Sequence, residues 1–201
     1  MKKARLPRSI ILVAVIYLVA AVSAAIAAQN WDFLRIYIPF FIVIAFFVNL
    51  LHRRNNFSGI LLWSLTIWGA LNLAGGLIAI PENWSHQGSK PILHSLWIIG
   101  EWLKWDNFVR FFGFITCTWL IWEALRASIQ ARLGRKLYPS MGMIFLCIFA
   151  GMGLGALTEL AEFFTGSLLS STVDIYRETC RDLIASSLGC LFAGILIFLH
   201  G

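Results

Sequence analysis

The chain has 201 residues, 59% of them hydrophobic, with 16 basic and 10 acidic side chains and a mean hydropathy of +0.79, which is too apolar for a water-soluble domain. Order-promoting residues dominate, glycine has no fixed period and there are only four cysteines, so disordered, collagen-like and disulfide-scaffold chains are excluded. The net charge of +6 would suggest a nucleic-acid partner in a soluble protein, but in an apolar chain it has to be sorted by membrane side first.

Long uncharged runs recur along the chain and predict an all-α fold: a polytopic membrane helix bundle, one integral membrane domain over 1–201 with six spans and a short interfacial helix. The first span, 9–28, follows the basic stretch Lys2, Lys3, Arg5 and Arg8. Its twenty residues at about 1.5 Å each cover the ~30 Å hydrocarbon layer. Small residues around Ala25 and Ala27 also fit a signal-peptide cleavage site, but the apolar stretch exceeds the usual h-region and favours an anchor. The second span, 33–51, closes on His52, Arg53 and Arg54, and the third, 58–80, closes on Pro81.

Residues 92–105 are apolar but carry His94, Glu101 and Lys104. As a helix they would reach only about 21 Å, so an interfacial or re-entrant helix is expected there. The fourth span, 106–126, ends in a loop with Arg126, Arg132, Arg135 and Lys136; the fifth covers 140–164 and the sixth 182–200.

Six spans put both termini on one side. The N-terminus and the 52–58 and 126–139 loops hold ten of the sixteen basic residues, with only Glu123 acidic on that side, so the positive-inside rule makes them cytoplasmic. The remaining segments carry nine acids and six bases. The charge is then a topology signal and a contact with anionic lipid; membrane lipids are the expected partners and nucleic acid is not. Trp31, Trp84, Trp97, Trp102 and Trp105 fall in or beside the outer connections, where an aromatic belt is at home and where a platform for a sugar or headgroup could also stand.

The candidate site is a set of charges that the topology brings to one depth. Asp106, Glu159 and Asp182 each lie about 27–30 Å along their helices from the cytoplasmic ends. Asp106 and Arg110 are spaced i,i+4, Glu159 and Glu162 i,i+3, and Asp174, Glu178 and Asp182 i,i+4,i+8, with Arg177 and Arg181 beside that last ladder. Each set shares a helix face. Helix-end charges can simply snorkel into water, yet Arg110 lies a turn deeper than Asp106, and ionisable groups below the headgroups need a partner or a wet cavity. An outward pocket lined by Asp106, Arg110, Glu159, Glu162, Asp174, Arg177, Arg181 and Asp182 is therefore expected to bind a ligand.

Glu159 and Glu162 suit proton sharing, and the arginines suit a lipid phosphate. The carboxylates could hold a hard cation, but the arginines compete and no fixed-length loop motif is present, so no metal and no cofactor are assigned. No HExxH, P-loop or GxSxG pattern occurs, and Ser167, Ser170 and Ser171 have no base beside them. The four cysteines lack a CxxC spacing and are read as small buried residues. Gly151 and Gly155 form a small-xxx-small pair suited to close helix contact, within the chain or with a membrane partner or second copy.

Trp105-Asp106-Asn107-Phe108-Val109-Arg110-Phe111-Phe112-Gly113, then Glu159 with Glu162, then Asp182-Leu183-Ile184-Ala185-Ser186-Ser187-Leu188-Gly189 resembles the VanZ-like superfamily, in particular its YjdF-type inner-membrane branch. The resemblance covers roughly residues 100–195. The family carries an Asp motif with a histidine four residues on, a membrane-embedded Glu and a closing Asp-Leu-x-x-Asn-x-x-Gly. Asp106, Glu159, Asp182 and Gly189 match; Arg110 stands in place of the histidine and Ser186 in place of the asparagine, so no metal or histidine mechanism carries over. The resemblance implies a cell-envelope context. Three activities fit: binding or moving an amphiphilic envelope lipid or lipid-linked precursor, acid-base catalysis on such a molecule, or a scaffold for a membrane partner.

Overall fold

A computed structural model of the chain describes residues 4–31, 33–88, 91–134, 136–166 and 172–200, with backbone alone at 165, 166 and 172–175. Six helices are long and apolar enough to cross a membrane: α1 (Arg8–Ala27), α2 (Ile38–Asn55, entered through a π-helical turn at Phe33–Tyr37), α3 (Gly59–Leu77), α4 (Trp105–Leu133), α5 (Met141–Gly166) and α6 (Thr172–His200). The chain divides into two compact units, Met1–Asp106 and Asn107–Gly201.

Helix ends follow local chemistry more closely than they follow charge. The α1 chain exits through Gln29, whose φ is 51°, and the Asn30 side chain accepts from the Phe33 N–H at 3.2 Å. Asn56 ends α2 in the left-handed region, and Ser58 caps α3 by accepting from the Leu61 N–H. Both are residue types that tolerate or satisfy those positions. Arg126 does not end α4, which continues to Leu133 and stops before Gly134 at φ 65°. Nor do the acids before Asp182 delay α6, which is helical from Thr172. A charged residue leaving the hydrocarbon layer changes what surrounds a helix without removing any backbone hydrogen bond.

In the first unit Ala21, Ala25, Phe33, Phe41 and Leu73 form the core. Gly69 lets the Tyr17 ring lie against α3, since a Cβ there would stand 2.9 Å from the tyrosine oxygen. Residues 92–105 correct an expectation: in place of an interfacial helix they form a 3-10 turn (Leu93–Ser95) and a two-stranded antiparallel hairpin, β1 (Trp97–Ile99) and β2 (Leu103–Lys104). The hairpin turns at Gly100, whose φ of 47° favours glycine, and aromatic and β-branched residues fill its first strand. The connection folds back on itself through Ile80 N–H to Pro91 O, Leu93 N–H to Ile78 O and Trp97 N–H to Ser85 O, at 2.9 to 3.0 Å. Backbone groups left outside a helix thus find partners in the segment itself.

His94 ties this connection to the helices. Its ring lies on Gly75 and Gly76, where a Cβ on Gly75 would stand 2.5 Å from Nε2. Nε2 is 3.1 Å from the Asn72 carbonyl oxygen, and Nδ1 is 3.0 Å from Asp106 Oδ1, an ion-pair distance without hydrogen-bond alignment.

In the second unit α5 and α6 pack along their lengths around Trp122, Ile144, Cys147, Ile148, Cys190 and Ile197. Glycines set the approach. A Cβ at Gly151 would meet Thr118 Oγ1 and Cys190 Sγ at 2.5 and 2.7 Å, one at Gly155 would meet Ser186 Cβ at 3.1 Å, and one at Gly189 would stand 2.5 Å from the Phe111 carbonyl oxygen. The Gly151/Gly155 face is therefore covered by α4 and α6 of the same unit.

Candidate functional site: a carboxylate cluster around Arg110

Close approach at Gly155 and Gly189 brings α4, α5 and α6 together beneath their charged ends. Asn107 and Arg110, spaced i,i+3 on α4, present one face. On α5, Thr158 and Glu159 are adjacent and Glu162 lies one turn further; on α6, Asp182 sits one turn before Ser186.

The centre is Arg110. Nη1 donates to Glu159 Oε1 at 2.5 Å and reaches Thr158 Oγ1 at 3.5 Å; Nη2 donates to Glu162 Oε1 at 2.8 Å and lies 3.4 Å from Asp182 Oδ2. The other oxygen of Asp182 accepts from Asn107 Nδ2 at 2.7 Å. The backbone beneath is also used. Thr158 Oγ1 donates to the Gly155 carbonyl and Ser186 Oγ to the Asp182 carbonyl, both at 2.7 Å.

Exposure is uneven and gives the cluster a direction. The side chains of Arg110, Glu159 and Asp182 are 11%, 8% and 9% exposed, while that of Glu162 is 58% exposed. Glu162 is thus the most exposed member of the cluster. A guanidinium remains charged in any protein environment and its planar fork can serve several carboxylates at once. Burying the other groups without it would leave carboxylates unpaired in a medium that penalises them heavily.

One oxygen from each of Glu159, Glu162 and Asp182 lies within 4.8 Å of the others, a spacing that would suit a single cation. Arg110 contacts all three and supplies positive charge to the trio from within the chain. Three carboxylates on one guanidinium leave these four residues formally acidic.

The sequence placed eight residues in one pocket, and the structure brings together Arg110, Glu159, Glu162 and Asp182. Asp106 is the last residue of the first unit and is described there, paired with His94. Arg177 is exposed and Arg181 half-buried on α6. The side chain of Asp174 lies outside the described residues, as do Ser167, Ser170 and Ser171. Asn107, Thr158 and Ser186 are the additions. Asn107 is 3% exposed, and its neutral amide carries no charge that would mark it in the sequence.

The chain matches no protein-family model, and no curated protein and no solved structure matches it.

Proposed function

We propose that this polytopic membrane protein sits in a bacterial cytoplasmic membrane with both termini inside, and that it binds and moves or presents an amphiphilic envelope lipid or lipid-linked molecule. The head of that molecule would be held at the Arg110 cluster through Glu162. The basic loops support the orientation, and the resemblance to VanZ-like proteins supports the envelope context.

One observation carries the choice of head. Both terminal nitrogens of Arg110 are committed to carboxylates, so a phosphate arriving at Glu162 would meet negative charge first and would have to displace buried acids to reach the guanidinium. A head with donors, an amine foremost, instead meets acceptors. This reverses the use of Arg110 as a phosphate fork.

A second reading is favoured by the closeness of the carboxylate oxygens: acid-base chemistry on a lipid-linked substrate, with Glu159 or Asp182 as the base. The two readings separate on whether the bound molecule changes covalently.

The test uses purified protein in nanodiscs with three amphiphiles of equal chain length, headed by an amine, a neutral sugar and a phosphate monoester, read by native mass spectrometry. Preferential retention of the amine, lost in Glu162→Gln and in Asp182→Asn protein that still unfolds cooperatively, is the expected result. Equal retention of all three, or retention unchanged by both substitutions, would overturn the proposal.

A further inference from the structure

The His94 imidazole, wholly within the first unit, has an oxygen beside each of its ring nitrogens. Nε2 stands 3.1 Å from the Asn72 carbonyl oxygen and Nδ1 3.0 Å from Asp106 Oδ1. A backbone carbonyl can only accept, so the Nε2 contact requires a proton on that nitrogen. A neutral ring then turns a bare lone pair at Nδ1 toward the carboxylate. Solvent does not separate the two, because Nδ1 is sealed from it. The Nδ1 contact also lacks hydrogen-bond alignment, so its attraction is one of charge: with Asp106 ionised, it exists only while the ring carries a second proton.

Packing fixes where the ring sits. It lies on Gly75, where a Cβ would stand 2.5, 2.6 and 2.8 Å from Nε2, Cε1 and Cδ2, and Phe33 flanks it across Gly76. α3 therefore faces the ring with Asn72, Gly75 and Gly76, and the turn before α2 with Phe33, none of them titratable. Asp106, at the start of α4, is the titratable group at ion-pair distance among the described residues. The side chains of His94 and Asp106 are 19% and 31% exposed, so the carboxylate gives the sealed nitrogen a route for proton exchange with water. The other titratable groups of the connection are Glu82, His86, Glu101 and Lys104; His86 Nδ1 is 2.8 Å from the Trp84 carbonyl oxygen, and the Lys104 ammonium stands 5.9 Å from the Trp97 ring centroid.

We infer that His94 and Asp106 form a pH-dependent clasp: a proton on His94 Nδ1 holds the connection between α3 and α4 closed, and its loss on alkalinisation loosens it. A contact made by the protonated ring is present at acid pH and is lost as pH rises through the range in which histidine ordinarily discharges, about pH 5 to 8. The Asn72 bond needs only the Nε2 proton and survives the change, so the connection loosens without coming away. The clasp does not involve the Arg110 cluster, and either can fail without the other.

The experiment follows full-length protein in nanodiscs from about pH 5 to 8 by two readouts. One is the rate of limited proteolysis between 78 and 104, normalised at each pH to cleavage of an unstructured peptide. The other is the nitrogen NMR signal of ring-labelled His94, assigned by its absence in His94→Gln. In wild-type protein the cleavage rate is expected to rise several-fold with pH, in step with the change from a doubly to a singly protonated ring that keeps its proton on Nε2. His94→Gln keeps a donor for Asn72 but cannot titrate, and Asp106→Asn removes the charge; each should give a rate that is flat in pH. His86→Gln should keep the wild-type slope. A wild-type rate flat in pH, a slope that survives in both His94→Gln and Asp106→Asn, or a slope lost in His86→Gln would overturn the inference. A His94 ring that is singly protonated throughout the range would overturn it on wild-type protein alone, whatever the variants do.

Discussion

Asn107 donates its side-chain N–H across 2.7 Å to Asp182, which lies 75 positions further along the chain. The bond ties α4 to α6 and holds one oxygen of Asp182 while Arg110 faces the other. Asn107→Leu keeps the number and branching of the side-chain heavy atoms and removes the donor. It is expected to cost about 2 kcal/mol, the range for a buried hydrogen bond to a charged group. Asn107→Asp should cost more, because it sets a like charge against Asp182. Thermal unfolding in detergent measures both; equal stability of all three proteins would show that the bond contributes nothing.

Glycines close the helices around the cluster to different degrees, and alanine substitutions should rank accordingly. Gly189→Ala drives a Cβ to 2.5 Å from a backbone carbonyl that cannot move aside, and Gly155→Ala one to 3.1 Å from Ser186, whereas a Cβ at Gly153 meets nothing within 4 Å. Overpacking of the first kind costs about 1–3 kcal/mol or more, and Gly153→Ala in mid-helix should be neutral or slightly stabilising. Melting temperatures in the order Gly153→Ala, Gly155→Ala, Gly189→Ala, highest first, are expected. A Gly153→Ala protein as damaged as the Gly189→Ala one would contradict the packing.

His94 holds the connection between α3 and α4 by stacking on Gly75 and reaching Asn72 and Asp106. His94→Ala removes the tie, and Gly75→Ala displaces the ring. Both should raise the rate of limited proteolysis between 78 and 104 several-fold while leaving the six helices intact by circular dichroism. An unchanged digestion rate would mean that the backbone bonds of the connection suffice without the histidine.

The orientation read from the basic loops is open to direct labelling. In a Cys180→Ser background, Glu101→Cys is expected to react with a membrane-impermeant maleimide in intact cells, and Leu133→Cys only after permeabilisation. The reverse pattern would invert the assignment.

The six spans were legible because an uncharged run of about twenty residues has few other uses. At Arg126 and Asp182, where a charge marks the expected helix boundary, the helix runs on, because backbone bonding ends at a glycine such as Gly134 and not at a charge. Length alone misread 92–105: the run Trp97-Ile98-Ile99 before Gly100 carries strand and turn residues that a length criterion does not weigh. Of the cluster, the charged members were legible through helical spacing and estimated depth. Asn107 and Thr158 were not, since a neutral polar residue in an apolar helix raises no flag until its partner across the bundle is known.

The meeting of α4 and α5 charges at one point is tested most directly by a double-mutant cycle on Arg110 and Glu159, read by unfolding free energy in detergent. Arg110→Met alone leaves buried acids uncompensated and should cost about 3–5 kcal/mol. With Glu159→Gln already in place it should cost at least about 1 kcal/mol less. Additive losses, with no coupling between the two positions, would contradict the arrangement on which the proposed binding site depends.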